Sequence, residues 1–143
     1  MAGFLKDLNA ISRGTTLFRD EKLREYGLTG HQVKYLFAVC HGEGVSQDEL
    51  AKSLFVNKSN VARQMSAQEE AGFVRREQSA EDKRVYKVWP TRKAEELLPV
   101  IRAVNAEWKA IICEGLTEEE REGLSAVLEK LISNARRYEE GRS

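Results

Sequence analysis

Two short stretches of this chain carry side chains that suit the recognition of a nucleic-acid duplex. The first is Asn57-Lys58-Ser59-Asn60-Val61-Ala62-Arg63-Gln64. Asn and Gln amides offer an adjacent donor and acceptor that match the major-groove edge of adenine, and an arginine fork matches guanine. Ser59, Asn60, Arg63 and Gln64 are therefore candidate base contacts, with Lys58 a candidate phosphate contact and Val61 and Met65 directed inward. Taken singly, each is also what any exposed helical position carries. The second stretch is Glu81-Asp82-Lys83-Arg84. Asp82, two residues from Arg84, can pair with it and hold the guanidinium extended towards a narrow minor groove, where negative potential favours an inserted arginine. A solvated loop is the plainer alternative, since exposed ion pairs contribute little stability. Lys83 at the same tip and Arg76 upstream complete the candidate set.

Charge distribution supports the grouping. Formal net charge is zero over the 143 residues, which alone argues against a polyanionic partner. Residues 52 to 93, however, carry ten Lys/Arg against five acids, a local +5 that leaves −5 on the remainder. That asymmetry fits one basic face on an acidic body.

Each stretch needs an element to position it. Leu5, Leu8, Ile11, Thr15 and Phe18 recur at three- and four-residue steps, so a first amphipathic helix is expected, closing near Tyr26-Gly27. Thr29 with Gln32 forms a capping box for a second helix, striped by Val33, Leu36, Phe37 and Cys40. Ser46 with Glu49 opens a short third, and Asn57 caps a fourth that runs to about Ala71 before Gly72. The period then changes. Phe73 to Arg76 and Val85 to Trp89 are short and β-prone, giving a hairpin with a charged tip. Beyond Pro90, Leu97, Ile101, Val104, Trp108 and Ile111 mark a long helix. A last helix, capped by Thr117 and Glu120, carries Leu124, Val127, Leu128, Leu131, Ile132, Ala135 and Tyr138.

The expected fold is mainly α with a small β-hairpin wing: a winged helix-turn-helix over 29–91, flanked by N- and C-terminal dimerisation helices at 4–26 and 92–140, within a single domain of 1–143. Two long striped helices cannot easily bury their apolar faces on so small a module, so pairing with a second copy is one outlet and packing on each other the alternative.

Other chemistries find little support. The chain has no glycine-rich phosphate loop, no Gly-x-Ser-x-Gly, no His-Glu-x-x-His, and only His31 and His41 as histidines, so an enzyme is not expected. Cys40 and Cys113 lack metal-ligand spacing, and neither a disulfide framework, a metal nor a cofactor is indicated. The N-terminus gains charge at once and lacks the pattern of a secretory signal; no membrane span is expected, and the reading is cytoplasmic.

Several of these segments together resemble the multiple-antibiotic-resistance regulator (MarR) family. The resemblance lies in Leu28-Thr29, Leu50-Ala51, Val61-Ala62-Arg63, Gly72-Phe73-Val74-Arg75-Arg76, Asp82-Lys83-Arg84 and Pro90-Thr91, and the element order matches over nearly the whole chain. It implies a homodimer joined through its terminal helices, recognition helices in successive major grooves of a pseudo-palindromic operator, wings at the minor groove, and repression relieved by a small molecule. Gln68, where the family usually has a core leucine, and Pro90, where leucine usually precedes Thr91, depart from the pattern. The first is expected to loosen packing under the recognition helix and the second to stiffen the exit from the wing.

The resemblance also implies an effector site for a small phenolic or lipophilic molecule, an aromatic carboxylate among them. Arg13 falls where related proteins meet the carboxylate, and His31 and Val33 fall at matching positions on the second helix. An arginine fork suits a carboxylate, and an ordinary intersubunit ion pair is the equal alternative for Arg13. Thiol-sensing relatives carry a cysteine near the start of the first helix, which is absent between Phe4 and Arg19. Cys40 on its apolar stripe is expected to be unreactive and Cys113 more open, leaving a thiol- or peroxide-responsive regulator as a lesser alternative. A winged helix used only for protein contacts is the other; it would lack the basic concentration found here.

Overall fold

The computed structural model describes residues 1–142. Helix α1 spans Phe4–Leu23 and closes in a 3-10 turn, Arg24–Tyr26, on Gly27. Helix α2 spans Gly30–His41, strand β1 Val45–Ser46, α3 Gln47–Leu54 and α4 Lys58–Glu70. Strands β2 (Val74–Gln78) and β3 (Tyr86–Pro90) precede α5 (Arg92–Ile112) and α6 (Glu118–Glu140).

The helix starts follow from side-chain chemistry. Thr29 Oγ1 accepts from Gln32 N at 3.2 Å while Gln32 Oε1 accepts from Thr29 N at 3.0 Å, completing the expected box. Thr117 and Glu120 do the same for α6. Each such cap contributes about 1 kcal/mol by satisfying amides that the first turn leaves bare. Ser46 Oγ accepts from Glu49 N at 3.0 Å, one arm of the pair expected there.

The wing differs from a plain hairpin. β1 adds a third strand, so the antiparallel sheet runs β1-β3-β2, with Val45 opposite Val88 and Val74 opposite Pro90. A two-residue strand has no period to read, which is why the pattern of the sequence omitted it. Ser46 thus ends a strand and caps a helix at once. Thr91 closes the base of the wing: its hydroxyl donates to Gly72 O at 2.6 Å and accepts from Ala94 N at 3.3 Å, seating the start of α5. Pro90 ends β3, where the missing N–H costs little.

Contacts divide the chain into two compact units, Met1–Trp108 and Lys109 onward. In the first, Leu23, Val33, Tyr35, Leu36 and Val39 from α1 and α2 meet Leu50, Val61, Met65, Phe73, Val88 and Ile101 in one core. Burying each such side chain is worth roughly 1.5–3 kcal/mol. Trp108 is anchored in this unit: its Nε1 donates to Thr15 Oγ1 at 2.7 Å and its ring stacks on Phe18 at 5.0 Å. In the second unit, α6 keeps its apolar stripe on the outside, with Leu124, Val127, Leu128, Leu131 and Ile132 between 38% and 54% exposed. Leu5, Leu8 and Ile11 on α1 are likewise exposed.

Candidate nucleic-acid interface

Helix α4 is braced by α3 across a tight turn in which Phe55 takes a left-handed conformation (φ 56°). Its start is organised by Asn57, whose Oδ1 accepts from Asn60 N and from Ser59 Oγ, both at 2.8 Å. Ser59 is therefore tied to the cap. Lys58 Nζ lies 3.6 Å from Asp48 on α3, an exposed pair that leaves the ammonium accessible. One turn on, Arg63 donates from Nη2 to Asn60 Oδ1, so the fork and the amide form one unit. Gln64 is half-buried, and its Oε1 is shut from solvent without a hydrogen-bond partner.

At the wing tip, Ser79 N donates to Val85 O at 2.8 Å and Val85 N to Asp82 O at 3.0 Å, folding the loop back on itself. Asp82 then grips Arg84 three ways: Oδ1 accepts from the backbone N at 3.0 Å and from Nε at 3.1 Å, and Oδ2 accepts from Nη2 at 3.1 Å. The Arg84 side chain is nevertheless 90% exposed. Its hydrogen bond, more than any other influence, holds the Asp82 carboxyl below the usual carboxylate range, so the carboxylate stays ionised at neutral pH. Lys83 stands beside it, exposed, with its carbonyl accepting from Gln78 Nε2 at 3.2 Å.

Arg76, expected among the DNA contacts, is engaged within the protein. Its guanidinium and backbone N bind Glu69 on α4, and Nη1 reaches Gln47 Oε1 on α3 at 3.5 Å. A half-buried arginine committed to two helices clamps the wing to the recognition helix instead of reaching outward. Lys93 is similarly engaged, donating to Ala71 O at 2.8 Å over the Phe73 ring and so capping the end of α4. Neither partnership has a spacing signal, because each forms only when the wing folds back on the helix.

The three effector candidates separate. Arg13 and His31 are exposed on α1 and α2, His31 set edge-on to Tyr35 at 6.0 Å between centroids. Val33 is 0% exposed, part of the packing beneath any cleft at that surface. Among the described residues no hydrogen bond or ion pair joins Arg13 to either. Cys40 is half-buried beside Glu95 and Arg102, and burial first, then Glu95, pushes its thiol up to about 11. Cys113 is also half-buried. No group of His, Cys, Asp and Glu among the described residues is arranged to hold a metal ion, and none of their helices is long and apolar enough to cross a membrane.

A capped helix braced across a tight turn, followed by a charged-tip hairpin that takes β1 as its third strand, defines a winged helix-turn-helix. The chain belongs to the MarR family, a family of transcription regulators and not of enzymes. The family's sequence profile matches residues 26–85. The crystal structure of MarR is 34% identical, with 92% of this chain and 90% of that one covered at a TM-score of 0.85. A MarR family transcriptional regulator from Listeria monocytogenes, solved in complex with a 26mer DNA, is 26% identical over 95% of this chain and 91% of its own, at a TM-score of 0.88. The uncharacterised HTH-type transcriptional regulator YybA of Bacillus subtilis (strain 168) is 26% identical over 137 residues, 96% of this chain and 91% of that protein.

Proposed function

We propose that this regulator binds duplex DNA as a homodimer, reading bases with the start of α4 and setting Arg84 of each wing in the minor groove, and that it represses transcription until a small aromatic carboxylate releases it. The observation that carries the reading is the Arg84 fork, held on three hydrogen bonds by Asp82 yet almost fully open to solvent. A guanidinium pre-set in this way loses little freedom when it enters a narrow groove. Ser59, Asn60, Arg63 and the NH2 of Gln64 supply the base-directed groups, and Lys58 and Lys83 the phosphate-directed ones. Arg76 supports the interface by clamping wing to helix.

The dimer rests on the exposed stripes of α1 and α6, apolar faces of a kind that soluble chains cover. For the effector, Arg13 supplies the fork and His31 a second polar group, with Val33 forming the floor. The family resemblance supports this assignment and the repressor role alike.

Selection from a randomised duplex pool, followed by mobility shifts and sedimentation, tests the proposal. The expected result is a pseudo-palindromic motif bound by two copies. Arg84→Ala should weaken binding evenly across sequences and lower the salt slope by about one, while Asn60→Ala and Arg63→Ala should change the motif. A monomer indifferent to duplex at low ionic strength would overturn it and favour a protein-contact role for the wing.

A further inference from the structure

Gln68 sits on the inner face of α4, fully buried, in a core otherwise built of apolar side chains. Its Nε2 donates to Gln32 O in the first turn of α2 at 3.5 Å, a long bond, and its Oε1 has no partner. Methionine or leucine would fill similar space without leaving an acceptor stranded, and buried polar groups with incomplete partners cost stability. Stability therefore does not account for this side chain.

Direction does. Apolar packing is non-directional, so a helix that rocks or slides slightly on an apolar bed keeps most of its contacts. An amide aimed at one carbonyl loses its bond when the helix turns. The carbonyl in question belongs to a turn that is fixed from two sides. The Thr29 and Gln32 capping box fixes that turn from one side. From the other, Asp20 Oδ1 accepts from Gly30 N at 2.6 Å, and α1 passes so close that a Cβ on Gly30 would lie 2.2 Å from Thr16 O. One turn before Gln68, the buried Oε1 of Gln64 continues the polar seam along the same side of α4.

We infer that Gln68 is a positioning residue, fixing the rotation of the recognition helix against the first turn of α2 so that Asn60 and Arg63 meet base edges in one register. The inference rests on the DNA-binding reading above. Recognition geometry tolerates little looseness, since supporting side chains must hold contact groups within about 0.5 Å.

The test compares the full-length parent with Gln68→Met, which keeps the reach and removes the donor, with Gln68→Leu, and with Met65→Leu as a neighbouring packing control. Affinity is measured for the selected duplex and for a scrambled duplex, with thermal midpoints alongside. Both Gln68 variants should lose about fivefold in the selected-to-scrambled ratio while their scrambled affinity and thermal midpoint hold or rise, and Met65→Leu should keep the parental ratio. A ratio unchanged in Gln68→Met, or lowered equally by Met65→Leu, overturns the inference. A readout without DNA separates it from the functional reading: relaxation dispersion should show new microsecond-to-millisecond exchange over residues 58–67 in Gln68→Met. Parental quiet there overturns the positioning role, whereas failure of the parent to bind any duplex overturns the functional reading.

Discussion

Glu69 and Arg76 hold each other through both backbone and side chain: Glu69 Oε2 accepts from Arg76 N at 2.9 Å, and Oε1 accepts from Nη2 at 3.1 Å and Nε at 3.3 Å. This is the clasp between recognition helix and wing. The backbone bond, ahead of the side-chain bonds and the charge, draws the Glu69 carboxyl below its usual range. A depressed pKa means that the clasp stabilises the fold above the carboxyl's ordinary pKa and is lost as pH falls through the lowered one. Since both side chains are partly exposed, Glu69→Gln is expected to cost only about 0.5–1 kcal/mol at pH 7. The parent and variant should converge in urea denaturation once the pH has fallen below the lowered pKa of Glu69. A gap that persists undiminished there would show that the charge is not what matters.

The Asp82 and Arg84 fork lends itself to a test in which electrostatics and geometry predict opposite signs. Removing a carboxylate from a surface that meets a polyanion should tighten binding if net charge is all that counts. If Asp82 acts by holding Arg84 extended, Asp82→Ala should weaken binding to the selected duplex about three- to tenfold despite the added positive charge. The thermal midpoint should not move. Tighter binding by Asp82→Ala in filter or mobility-shift titrations would end the geometric account.

Much of the fold was legible because the helix starts carry their own chemistry. Thr29 with Gln32, Asn57, and Thr117 with Glu120 name their helices before any tertiary contact exists, and all act as read. β1 was not legible, since Val45 and Ser46 pair with Val88 and Lys87 only after α3 and α4 have brought the wing around. The same delay hid the role of Arg76, whose partner Glu69 belongs to another element. Val33 is instructive in a different way. Its period on α2 places it inward, and burial agrees, while its place at an effector comes from the family resemblance alone. Gln68 departs from the family pattern, and what the sequence does not carry is its surroundings: it lies fully enclosed, with a long bond to α2 and its Oε1 unpartnered.

The crossing of α1 and α2 predicts a severe defect from a single methyl group. At Gly30 an added Cβ would stand 2.2 Å from Thr16 O and 2.9 Å from its carbonyl carbon, both backbone atoms that cannot swing aside. Gly30→Ala should therefore cost about 1–3 kcal/mol or more, as overpacking does where neighbours cannot relax. Gly123→Ala, with nothing near its Cβ, sits inside α6 and should be neutral or gain up to about 1 kcal/mol from helix propensity. Equal thermal midpoints for the two variants would contradict the close crossing.

Cys40 offers a test of whether this regulator senses oxidants. Reactivity belongs to the thiolate, and a thiol pushed up to about 11 by burial, with Glu95 adding to the shift and Arg102 opposing it, is protonated at neutral pH. Two units above an ordinary thiol, its thiolate fraction is lower by on the order of a hundredfold. Native protein at pH 7.5 should therefore label slowly at Cys40 with iodoacetamide, and guanidinium unfolding should restore an ordinary rate. Because the folded pKa is the raised one, the contribution of this group to stability is intact below the unfolded value and declines as pH climbs through about 11. Glu95→Gln, which removes the second cause of the shift, should speed native labelling modestly, and burial should keep it far below the unfolded rate. Peptide mapping that found Cys40 modified within minutes in the folded parent, together with loss of duplex binding on peroxide treatment, would replace the carboxylate effector with a redox one.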